Sequence, residues 1–189
     1  MRHIAPTVLL AIASQAHAQE LIEILPPDTN TLIFGIDLSA DGSVVVGISP
    51  DLPMPITTHQ EAFRWTVGDP EPTTLGFLPG TALSFAFACD DDASVIVGNG
   101  GALGASTPAV WRLGGTLERI EENDSPGGNA SSANATDADG DVIVGEIFDT
   151  GGQPTGGFIW RQSIGYTPMP TLTAATIGLR AGAFDVDDA

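Results

Sequence analysis

The sequence predicts an all-β protein: about three four-stranded antiparallel β-propeller-like blades and a lone strand of a fourth, after a cleaved signal peptide. Two recurring markers and one weaker one carry that reading. The phrase ADGSVVVG at Ala40–Gly47 returns as DDASVIVG at Asp91–Gly98 and as ADGDVIVG at Ala138–Gly145. Its closing glycines, Gly47, Gly98 and Gly145, are spaced by 51 and 47 residues. All three tryptophans follow with the same period: Trp65, Trp111 and Trp160, spaced by 46 and 49. The weaker marker comes after each tryptophan, as TTLGFLPG, GTLERI and YTPMPTL.

Each repeat opens with an inner-strand run, Leu32–Leu38, Leu83–Cys89 or Ala130–Thr136. A turn of the Asp-Gly type follows at Asp41-Gly42 and Asp139-Gly140, because glycine accepts positive φ and aspartate bonds its own backbone. Asp92-Ala93 is the poorer turn of the middle repeat. The β-branched runs Val44–Val46, Val95–Val97 and Val142–Val144 come next. Their unbroken apolarity predicts strands covered on both faces. Variable Gly/Pro-rich loops follow at Ser49–Gln60, Asn99–Pro108 and Glu146–Gly156, then the tryptophan strand and a short outer strand. The tryptophans are expected in the core between blades. The resulting division is a signal peptide at 1–18 and an incomplete propeller-like domain at 19–189, with repeats at about 32–80, 83–123, 130–172 and a partial one at 181–189.

The stretches AFRW, SADGSVVVG and SFAFACDDDASVIVG resemble the bacterial extracellular HAF-repeat family, whose repeats carry an Ala-Phe-x-Trp strand and a Ser-Ala-Asp-Gly-x-x-Val-Val-Gly hairpin. The resemblance runs from about Gly35 to the end. The second repeat departs from it at Ala93 and Ala109; the third keeps Phe158 and Asp139-Gly140. It implies an exported protein, found alone or within larger surface proteins such as autotransporter passengers. It supplies no catalytic residue.

Export is also expected from the residues themselves. Arg2 precedes the mostly apolar stretch Ile4–Ala13, and Ala16-His17-Ala18 ends in a signal-peptidase pattern. The remaining 171 residues hold five arginines, no lysine and 24 acidic residues, a net charge of −19. Such a chain repels nucleic acid and anionic lipid, and no run approaches the ~20 apolar residues of a membrane span. The single cysteine, Cys89, excludes an internal disulfide and reads as a buried small side chain.

The C-terminal AGAFDVDDA, Ala181–Ala189, resembles the first strand of another repeat. Three repeats and one strand do not close a ring of four to eight blades. The favoured expectation is a fragment of a longer surface protein; the others are self-association with a second copy to complete a ring, and an open array whose last strand pairs elsewhere, for instance with Leu21–Leu25.

Candidate chemistry is sparse. His59 is the one histidine after the signal segment and reads as an exposed loop residue, so a Ser-His-Asp arrangement has no other base to use. Zinc lacks ligands. Asp137, Asp139 and Asp141 alternate in TDADGD and are the candidate ligands if calcium binds, against the hairpin turn as the competing explanation; no other cofactor is expected. Nothing selects an acid pair for a glycosidase-like hydrolase, which stays as the alternative. The leading expectation is a non-enzymatic exported protein, structural or adhesive at the bacterial surface, binding a surface glycan or protein through the three variable loops.

Overall fold

In the sequence, each repeat places a turn former between an inner run and a β-branched run, and the chain folds accordingly. The structure, a computed structural model, describes residues 22–27, 31–50, 59–102, 105–114, 117–120, 130–169 and 186. The expected signal peptide, and the partial repeat at 181–189 apart from Val186, lie outside the described residues. Blade 1 contains β1 (Phe34–Leu38), β2 (Val44–Pro50), β3 (Gln60–Thr66) and β4 (Thr73–Thr74). Blade 2 contains β5 (Ser84–Cys89), β6 (Val95–Ala102), β7 (Ala105–Arg112) and β8 (Leu117–Arg119). Blade 3 contains β9 (Ser131–Thr136), β10 (Val142–Phe148), β11 (Pro154–Arg161) and β12 (Gly165–Pro168). Each is a four-stranded antiparallel sheet in sequence order, as expected. No helix among the described residues is long and apolar enough to cross a membrane.

The turns after the inner strands share one design. The Gly42 amide donates to the Ser39 carbonyl at 2.8 Å and the Ser39 amide to the Val44 carbonyl at 2.9 Å. Asp90 and Val95 repeat this pairing in blade 2, and Asp137 and Val142 in blade 3. The first turn residue also closes through its side chain: Ser39 Oγ, Asp90 Oδ1 and Asp137 Oδ1 accept the amides of Val44, Val95 and Val142. The fourth residue has positive φ: +71° at Gly42, +73° at Gly140 and +54° at Ala93. Ala93 accepts a conformation that costs an L-residue about 1–2 kcal/mol. Its methyl is wholly buried in the core between blades 1 and 2, which offsets roughly 0.8 kcal/mol of that cost.

The blades face one another as the unbroken apolar runs predict. Blade 2 is covered on both faces. Ile96, Ala109 and Trp111 turn toward Val44, Val46 and Ala62 of blade 1. Val95, Val97 and Val110 turn toward Ile143 and Phe158 of blade 3, with Trp160 packed at the edge of that cluster. The Arg112 guanidinium lies 5.9 Å from the centre of the Trp160 ring. Backbone hydrogen bonds also cross between blades at the turns, from the Ala40 amide to the Asp91 carbonyl and from the Asp91 amide to the Ala138 carbonyl.

The recurring glycine has a specific cause. Each inner strand carries a bulge, between Gly35 and Asp37, between Ala86 and Ala88, and in β9 between Ala133 and Ala135. A Cβ on Gly47, Gly98 or Gly145 would collide with the carbonyl of Phe34, Phe85 or Ser132. The Phe63 and Phe158 rings press on Gly47 and Gly145 from the neighbouring strand.

Asn99–Pro108 is not a loop: β6 and β7 pair continuously from Asn99↔Pro108 to Ala102↔Ala105. Ladder bonds come from the backbone, so a glycine-rich stretch can still pair. At Gly100 a Cβ would stand 2.8 Å from Leu78 Cδ1, so a side chain there would have to displace the leucine. Likewise β10 continues past Gly145 to Phe148, leaving a short turn before Pro154.

A buried serine shows how one residue change propagates. The Ala62 amide donates to Ser84 Oγ at 2.9 Å across the first blade junction. At the second junction the matching position is Pro108, which has no N–H, and buried Ser131 Oγ has no partner. Ser131→Ala is therefore expected to be neutral or stabilising by about 1 kcal/mol, whereas Ser84→Ala loses about that amount. Gly98→Ala should cost roughly 3 kcal/mol by forcing the bulge apart. Urea unfolding midpoints check all three. A Gly98→Ala variant as stable as the parent would show that the carbonyl approach is not a constraint.

Candidate functional site

The acidic residues that stand out in the sequence are occupied by the turns. Asp139 Oδ1 accepts the Asp141 amide at 3.3 Å, as Asp41 and Asp92 accept those of Ser43 and Ser94. Asp137 holds the Val142 amide. The calcium candidates Asp137, Asp139 and Asp141 thus lie along one hairpin, with Asp137 and Asp139 each bonded to it. Among the described residues no group of three or more His, Cys, Asp or Glu side chains is placed to hold a metal ion. The Ser43 hydroxyl and amide, with the Ser39 hydroxyl, hold the Asp41 carboxyl down at about 2. Ser94 lowers Asp92 in the same way.

Cys89 is half-buried, and its amide donates to Asp37 Oδ2 at 2.9 Å across the junction of blades 1 and 2. Burial, then the charges of Asp37 and Asp90, push the thiol up to about 12. It stays protonated and inert at neutral pH. His59 is not the exposed loop residue expected; it is half-buried, edge-on to Phe77 with ring centres 5.3 Å apart.

A cleft of about 420 Å³ opens between blades 2 and 3, at the end of the sheets opposite the Asp turns. Its origin lies in a difference between repeats. The inner strand of blade 2 and the residue before it carry Leu83, Phe85 and Phe87. The matching positions of blade 3 are Ala130, Ser132 and Asn134, all of which line the cleft. Three large apolar side chains of one repeat are small or polar in the next, and the cleft opens beside them. The same change occurs on the second strand, where Ile48 of blade 1 corresponds to Asn99 of blade 2.

The polar groups are held by the sheets. Asn99 follows the bulge-facing glycine of β6 and is 9% exposed. Its amide nitrogen donates to Ser132 Oγ at 3.4 Å, its Oδ1 is buried with no partner, and the residue lines the cleft. Glu146 takes the equivalent place on β10, opposite Ser132, and Oε2 accepts from the Asn134 amide at 3.4 Å. Phe87 and Asn134 are the bulge residues of β5 and β9, which is why both leave their sheets and enter the cleft. Phe87 stacks on Phe85 with ring centres 6.2 Å apart. Phe148 forms a second aromatic wall. At the rim, Asp149 Oδ1 accepts the amides of Gly151 and Gln153, fixing the turn that carries Gly152.

Two of the three variable segments singled out in the sequence therefore reach this site, through Asn99 and Ser106 and through Glu146, Phe148 and Gly152. Most of the third, 51–58, lies outside the described residues. Sequence reasoning missed Phe87, Ser132 and Asn134. The signal was available in the pairing of LSFAFA with ASSANA at the same point of two repeats.

No family model matches the sequence, and no curated protein matches it. Solved β-propeller structures do match the fold. A TolB protein of Agrobacterium tumefaciens is 13% identical with a TM-score of 0.51, over 71% of this chain and 44% of its own. TolB of Acinetobacter baumannii is 13% identical with a TM-score of 0.50, over 75% and 32%. A prolyl endopeptidase structure is 11% identical with a TM-score of 0.51, over 74% and 22%. The chain spans less than half the length of each of them, and the likeness is one of fold.

A lowered carboxyl contributes stability above its unfolded value, near 3.8, and loses it as pH falls toward the folded value. The Asp41 carboxyl is accordingly expected to titrate at about 2 in the folded protein, followed by carbon-detected NMR, and Ser43→Ala to move it up toward 3.8. Ordinary titration of Asp41 in the parent would mean that the turn bonds do not form in solution.

Proposed function

We propose that this chain is an exported, non-enzymatic β-propeller-like protein of the HAF-repeat type that binds a ligand in the cleft between blades 2 and 3, in a structural or adhesive role at the bacterial surface. The observation that carries the reading is the exchange of Leu83, Phe85 and Phe87 for Ala130, Ser132 and Asn134 at matching positions. The inner strand of blade 3 forgoes large apolar side chains at those positions, each worth about 1.5–3 kcal/mol when fully buried, and a polar recess opens beside it. Stability alone does not select such a change.

Two further points support a binding role over catalysis. Glu146 is the single carboxylate among the described residues lining the cleft, whereas acid-pair hydrolysis needs two across a bond. The cleft hydroxyls, Ser106 and Ser132, have no histidine or lysine among the described lining residues to act as a base. Export rests on Arg2, the apolar stretch Ile4–Ala13 and Ala16-His17-Ala18.

The test is a ligand screen by NMR line shape across sugars, sugar acids, amines and short peptides, run on the parent and on Ser132→Phe. That variant places in blade 3 the residue blade 2 already carries at the matching position, and an unaltered far-UV circular dichroism spectrum shows that it folds. Binding of at least one class to the parent, weakened tenfold or more in the variant, is the expected outcome. Binding that is unchanged when the cleft is filled would move the site elsewhere. Turnover of a bound compound that Glu146→Gln abolishes would make the protein an enzyme.

A further inference from the structure

We propose that the cleft between blades 2 and 3 takes a neutral sugar residue, a reading that rests on the cleft being the binding site. The polar groups of the cleft both donate and accept. Asn99 Oδ1 is an acceptor with no partner, and Glu146 is acceptor-only when ionised. Ser106 and Ser132 hydroxyls both donate and accept, and the Asn134 amide does so through its two atoms. A ligand satisfying such a mixed set must itself carry several groups that donate and accept at once. Sugar hydroxyls do so; a simple amine or carboxylate does not.

Phe87 and Phe148 give the cleft apolar walls beside its polar groups. A pyranose ring has C–H faces and a hydroxylated edge, so one face can lie on an aromatic ring while the edge meets the amides and hydroxyls. The volume of about 420 Å³ lies in the ~300–1,000 Å³ range of small-molecule sites.

The chain has a net charge of −18, and no arginine is among the described residues lining the cleft. Sugar acids are therefore repelled by the protein as a whole and find no cation on arrival. Glu146 Oε2 is engaged by the Asn134 amide, so it is positioned as a hydroxyl acceptor within a network.

Isothermal titration of the protein decides the matter. The probes are methyl glucoside, methyl galactoside, methyl mannoside and N-acetylglucosamine, against glucuronate, glucosamine and a neutral tripeptide. At least one neutral sugar should bind saturably in the millimolar range, with glucuronate at least tenfold weaker. Asn99→Ile, which gives blade 2 the residue found at the matching position of blade 1, should weaken that sugar tenfold or more with an unaltered far-UV circular dichroism spectrum. Binding of glucosamine or the tripeptide without any neutral sugar would overturn the sugar assignment and leave the cleft reading standing. Silence from every class would overturn both, and sugar binding indifferent to Asn99→Ile would place the sugar elsewhere.

Discussion

The close passage of a bulged carbonyl over a bare glycine is the constraint on which the rest of this structure depends. The carbonyls of Phe34, Phe85 and Ser132 occupy the space where a side chain on Gly47, Gly98 or Gly145 would begin. No other residue type fits there, so the glycine recurs at each repeat. The bulge does more than bend a strand. It expels one side chain per blade, Ile36, Phe87 and Asn134, from the pairing register. The two later members of that set reach the cleft. The architecture and the candidate site thus share one backbone device, consistent with the use of bulges to re-aim side chains.

The architecture was legible because the physics that builds it is local. Asp-Gly turns, β-branched runs and one tryptophan per repeat are each visible within eight residues, and they agree with one another. Ala93 broke the turn rule for a reason no local window contains: its methyl is buried against a neighbouring blade. The Asn99–Pro108 pairing was hidden for the opposite reason. Glycines announce a loop by composition, yet here they continue a ladder under Leu78 of another repeat. His59 likewise took its partner, Phe77, from outside its own segment.

The cleft was less legible. It lies beside a difference between two repeats that the fold makes equivalent, and that difference is seen only after residues are matched through the bulges. Leu83 and Ala130, Phe85 and Ser132, and Phe87 and Asn134 are unremarkable singly. As pairs they show large apolar side chains in one repeat and small or polar ones at the same points of the next, beside the cleft. Likeness of fold to longer propellers carries no such information, because it reports what the blades share.

The turn-to-turn hydrogen bonds change what an amide in blade 1 measures. Ala40 donates to Asp91, and Asp91 in turn to Ala138. Ala40 belongs to a surface turn, where exchange with solvent is ordinarily fast, but its proton is guarded by a neighbouring sheet. Release requires blades 1 and 2 to separate, with blade 1 itself remaining folded. Its protection is therefore a gauge of cohesion between repeats rather than of order within one, and the Asp91 amide is the same gauge one junction further along.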